Sequence, residues 1–134
     1  MKTSTMFLAG AVLFLLLVTP ANAAVNLSCM VTAVETRDNA IITAWDTFST
    51  TFKTALTTRR DALKTAWADT NTASRRAAIK SAWRTFRNSK KSAWRVRKSS
   101  IRAAWNQFKT DRRACGAQST DESGTQAQDL NVEN

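Results

Sequence analysis

The chain has 134 residues, room for a single domain, and carries 20 Lys and Arg against 10 Asp and Glu, a net charge of +10. It contains no His, no Tyr, one Pro, three Gly and two Cys. An imidazole base, a histidine metal site and a glycine-rich phosphate loop are thereby excluded, so neither an enzyme nor a metal, cofactor or small-molecule substrate is expected.

The first element in chain order is a leader. Lys2 supplies a positive start, and Met6 to Val18 form an apolar run of 13 residues, followed by Thr19-Pro20 and Ala21-Asn22-Ala23. Small residues at the −1 and −3 positions suit a signal peptidase, which places cleavage between Ala23 and Ala24. The run falls short of the roughly 20 apolar residues that cross a bilayer. The remaining chain, 24–134, is therefore expected to be exported, either secreted or held in a periplasm or at a cell surface. In that setting Cys29 and Cys115 read as one disulfide.

An eleven-residue repeat follows. The copies are IITAWDTFSTT (41–51), FKTALTTRRDA (52–62), LKTAWADTNTA (63–73), then IKSAWRTFRNS (79–89), KKSAWRVRKSS (90–100) and IRAAWNQFKTD (101–111). Position 1 is large and apolar except at Lys90, position 4 is always Ala, position 5 is Trp except at Leu56, and position 8 is Phe in three copies. Eleven residues make three turns at about 3.67 per turn, close to the α-helical value. Positions 1, 5 and 8 then fall within a wedge of about 60°. The expected core stripe is Ile41, Trp45, Phe48, Phe52, Leu56, Leu63 and Trp67, continued by Ile79, Trp83, Phe86, Trp94, Ile101, Trp105 and Phe108.

Five extra residues, 74–78, break the phase by roughly 160° on a continuous helix, so a turn is needed there. Asn71-Thr72-Ala73-Ser74 offers stop and cap residues. The fold class is all-α: two helices, about 30–71 and 74–115, folded into an antiparallel hairpin over 24–116. Such a hairpin brings Cys29 and Cys115 together, with Gly116 fitted to end the second helix. The alanines would allow close approach of the helices, and pairing of two hairpins into a four-helix homodimer would bury the Trp rings further. Residues 117–134 are polar and acidic and are expected to be disordered.

Charge is unevenly placed. Residues 30–72 hold five cations and five acids, whereas 73–115 hold fourteen cations and one acid. In the second helix Arg76, Lys80, Arg84, Arg87, Lys91, Arg95, Lys98, Arg102, Lys109 and Arg113 recur every three or four residues, with Asn106 in the one gap. A solvated helix would interleave acids. Asp46, Asp61 and Asp69 of the first helix offer partial neutralisation across the hairpin. The surplus predicts a linear edge for polyanions: nucleic acid, an acidic glycan or cell-wall polymer, or an anionic lipid surface. Contact without base reading is expected. The competing readings are a membrane-active cationic protein, whose Trp stripe meets lipid, and a structural or chaperone-like protein that holds another polypeptide.

The blocks AVETRDNAIITAWD (33–46), TRRDALKTAW (58–67), RRAAIKSAWRTFRNSKK (75–91) and AAWNQFKTDRRACG (103–116), with Cys29, resemble short secreted helical proteins of ultrasmall, Patescibacteria-type bacteria. The resemblance spans most of the chain after the leader. It implies a bacterial, exported origin and transfers no functional residue.

Overall fold

The computed structural model describes residues 24–121 and 124–131; the leader expected over 1–23 lies outside them. Two long helices, α1 (Leu27–Ala68) and α2 (Thr72–Ala114), pack antiparallel. A 3-10 turn (Ser119–Asp121) and a short α3 (Gln126–Leu130) follow. Among the described residues there is no strand. With 42 and 43 residues, α1 and α2 each run for about 65 Å at 1.5 Å per residue.

The ends of these helices are fixed by local chemistry. Asn26 accepts from the Cys29 amide at 3.0 Å and from the Ser28 hydroxyl at 2.9 Å, which starts α1 three residues before the expected position 30. At the turn, the Asn71 side chain accepts from the amides of Ala73 and Ser74 at 2.9 and 3.2 Å, so Asn71 caps α2. Asp69 accepts from the Asn71 amide at 2.8 Å and from the Ser74 hydroxyl. The far end closes on Gly116, whose φ of 81° suits a residue without a Cβ. The amides of Gly116 and Ala117 donate to the carbonyls of Arg113 and Arg112, both at 3.1 Å, satisfying the last turn of α2.

The hairpin is closed as its cysteines imply. Cys29 and Cys115 form a disulfide with Cα atoms 5.6 Å apart across 86 residues of chain. The Asn26 amide also donates to the Cys115 carbonyl at 2.9 Å.

The alanines form the seam between the helices. Every fourth-position Ala of the repeat (Ala44, Ala55, Ala66, Ala82, Ala93 and Ala104) is buried, with 3–8% of its surface exposed. The pattern extends one copy upstream of the expected start, through Met30, Ala33, Val34 and Arg37. Ile41, Ile101, Trp105 and Phe108 are buried beside this seam. Trp45, Phe48, Phe52, Leu56, Leu63, Ile79, Phe86 and Trp94 are half-buried on its shoulder.

Two residues of the expected core lie outside it: Trp67 is 68% exposed and Trp83 40%. Position 5 stands about 100° around the helix from the alanine seam. Two helices offer only one seam, so a ring there is covered only where something further lies over it.

The tail also departs from its composition. Residues expected to be disordered include α3, which packs on α2. The Trp105 indole N–H donates to an Asp129 carboxylate oxygen at 2.7 Å, and Leu130 packs against the core. A buried indole N–H needs an acceptor, and Asp129 supplies it. One polar anchor and one apolar anchor order the segment despite its polar composition.

Candidate functional site

α2 carries the ladder on its outer side. Arg76, Lys80, Arg84, Arg87, Lys91, Arg95, Lys98, Arg102, Lys109 and Arg113 are all exposed. Steps of three or four residues, and one of seven from Arg102 to Lys109, keep them on one strip of the helix. Lys98 leans toward its own helix, its ammonium 5.7 Å from the Trp94 ring centre.

Among the described residues, the acids with bonded partners find them away from this strip. Asp38 accepts from Arg37 Nε at 2.8 Å and Asp61 from Arg60 Nε at 2.8 Å, each from the preceding residue of α1. The bond from Arg60, assisted by its charge, holds the Asp61 carboxyl below its ordinary range, and the same bond raises the Arg60 guanidinium. Asp69 does cross to α2, but its partners are the turn residues Asn71 and Ser74. Arg75 adds to that knot by donating to the Asp69 carbonyl at 3.0 Å. The one acid of α2, Asp111, accepts from Gln107 at 2.8 Å. Among the described residues, none of the ten ladder cations shares a salt bridge with an acid of α1.

A second set of cations, which the ladder pattern passes over, turns inward. Arg97 is 1% exposed and its guanidinium sits between Trp45 and Trp94, 3.8 and 3.7 Å from the ring centres. Arg37 lies over Trp105 at 4.6 Å and Phe108 at 4.4 Å. Arg59 lies over Trp83 at 4.5 Å and Phe86 at 4.3 Å. A guanidinium is planar and weakly hydrated, which suits it to this stacking better than an ammonium.

The signal for this set was in the repeat. Position 8 is Phe in three copies, and it is Arg at Arg59 and Arg97, and at Arg37 one copy upstream. Antiparallel pairing sets each of these arginines against a Phe of the opposite helix: Arg37 against Phe108, Arg97 against Phe48, Arg59 against Phe86. The inward arginines pack against rings within the hairpin, whereas the ladder cations are exposed on its outer side.

The opposite flank carries mostly small and uncharged residues, with Arg59 and Asp69 as its charged members. Between α1 and α2 near the turn lies an open groove of about 670 Å³, walled by residues such as Thr54, Thr58, Ala62, Ser81, Thr85 and Ser89. Among the described residues no group of three His, Cys, Asp or Glu side chains is placed to hold a metal ion. No helix among them is long and apolar enough to cross a membrane. Comparison with known proteins returns no match, whether to family models, curated proteins or solved structures.

Proposed function

We propose that the protein is exported and acts as a binding module, docking on polyanions through the outer cations of α2 without reading their sequence. The observation that carries this is the ladder: ten exposed cations along one helix, with no acid of α1 bonded to them among the described residues. Like charges at this density repel one another and favour a counter-anion. The leader expected over 1–23 and the disulfide support export, since disulfides persist in oxidising compartments.

Binding by such a ladder is driven by counter-ion release, so affinity should fall steeply with salt. The test is titration of the oxidised chain from Ala24 onward against labelled duplex DNA, heparin and anionic vesicles over a salt series. The variant Lys91→Glu/Arg95→Glu/Lys98→Glu is titrated in parallel. Steep, ladder-dependent binding to at least one ligand is expected. Weak binding to all three at physiological salt, or binding that ignores the triple reversal, would refute the reading.

A further inference from the structure

The positive charge is distributed unequally along the hairpin. Phe48 meets Trp94 across the helices with ring centres 4.7 Å apart, which marks the middle of its length. From Phe48 through the turn to Trp94 the chain holds eleven cations and only two acids, Asp61 and Asp69. The rest of the chain from Ala24 to Asn131 holds eight cations and seven acids. Nine of the ten surplus charges therefore sit in the turn half. There α1 contributes too: exposed Lys53, Arg60 and Lys64 occupy repeat positions 2 and 9, two of the three positions (2, 6 and 9) that carry the ladder in α2.

The uncovered aromatic surface lies in the same half. At the disulfide end Trp105 is buried and bonded to Asp129 of the tail. At mid-length Trp45 and Trp94 enclose Arg97. Only Trp67 and Trp83 are exposed among the five Trp, at 68% and 40%. Beside Trp67 is a shallow depression lined by Arg59, Arg60, Leu63 and Lys64.

We infer that the turn half of the hairpin is a docking face for an anionic phospholipid surface, in which Trp67 and Trp83 enter the headgroup layer between two rows of cations. The inference rests on the polyanion-binding reading and narrows it to one ligand class and one end of the molecule. Two arguments favour lipid over a nucleic-acid strand. Two helices side by side present a face about 20 Å wide, so a single strand engages one row at a time whereas a surface engages both. Moreover, guanidinium groups already lie toward the ring faces, Arg59 at 4.5 Å from the centre of Trp83 and Arg75 at 5.8 Å from that of Trp67. That obstructs base stacking, while indoles at the headgroup level and cations at the phosphates are a favourable pairing.

The experiment compares the oxidised chain from Ala24, which contains the whole described hairpin, with three variants. These are Trp67→Ala/Trp83→Ala, Lys53→Glu/Arg60→Glu/Lys64→Glu, and the disulfide-end control Thr36→Glu/Thr43→Glu, which adds acid at two exposed α1 positions outside the ladder, each checked for helicity by circular dichroism. The probes are vesicles of phosphatidylglycerol mixed with phosphatidylcholine, vesicles of phosphatidylcholine alone, heparin and a single-stranded oligonucleotide. Binding to the anionic vesicles with a blue shift of Trp emission is expected. The α1 charge reversal should lose at least roughly a hundredfold in vesicle affinity, as each of the three cations removed is worth about fivefold near an anionic surface and each Glu adds repulsion. The double Trp variant should lose the blue shift, and the control should change little. Binding to heparin or oligonucleotide with none to anionic vesicles would overturn the lipid assignment and leave the polyanion reading standing. Equal vesicle binding by all three variants would likewise overturn the docking face. Binding to no probe would refute both.

Discussion

Arg97 lies almost fully buried in a core only two helices thick, and its surroundings explain how. Its guanidinium is enclosed by Trp45 and Trp94 at under 4 Å from each ring centre, so the electron-rich ring faces replace part of its water. The side chain also fills volume between the shoulders of the two helices, a packing role that truncation removes together with the charge. Arg97→Ala should therefore destabilise the hairpin by about 2 kcal/mol or more, measured as a lower urea midpoint with a red shift of Trp emission. Arg97→Lys keeps the charge and loses the planar stack, so its midpoint should fall between those of Arg97→Ala and the parent. The core stripe was legible in sequence down to the residue at Ile101, Trp105 and Phe108, and not at Arg37 and Arg97. Hydrophobic periodicity counts an Arg as outward unless its partner is known, and that partner lies on the other helix. Trp67 and Trp83 fail in the opposite sense, because periodicity assigns a side to a ring without knowing whether anything lies over that side.

The helices were legible to within a few residues because their repeat, phase break and caps agree. What the repeat conveyed less directly is which of its positions makes the contact, and the structure assigns the seam to the small position 4. Ala93 is 6% exposed, and Ala93→Leu should force the helices apart at a cost of about 1–3 kcal/mol. The same change at exposed Ala103 should stay within about 0.5 kcal/mol. Thermal unfolding of the two variants separates a seam from a merely alanine-rich surface. The turn is an element with its own titration. The Ser74 hydroxyl, the Asn71 amide and the charge of Arg75 hold the Asp69 carboxyl below its ordinary value. A carboxyl with a depressed folded-state pKa contributes stability above its unfolded pKa and loses it as pH falls through the folded one. Stability should thus decline in acid below about pH 4, and Asp69→Asn should flatten that limb while leaving the neutral-pH slope unchanged. Asn71→Ala should cost about 1 kcal/mol at all pH values, through loss of the cap.

At the scale of the whole molecule, two strong effects occupy opposite ends. The disulfide at one end closes 86 residues of chain and is worth on the order of 4–5 kcal/mol in the chain-entropy account, a large share of what a thin core can supply. The surplus of nine positive charges at the other end acts against folding by self-repulsion, an effect that salt screens with a Debye length of about 10 Å at 0.1 M. The tail belongs with the first end. Its order depends on Asp129 and Leu130 reaching Trp105 and the core, a contact that its composition gave no reason to expect. Effects separated by more than about 10 Å with no shared partners add. Unfolding midpoints followed from low to high sodium chloride should therefore rise for both the oxidised and the reduced protein, by similar increments, with the reduced curve displaced downward throughout. If reduction instead abolished the salt response, the charge would be acting through the disulfide end, and the division of the hairpin into a near-neutral clasp and a cationic turn would be wrong.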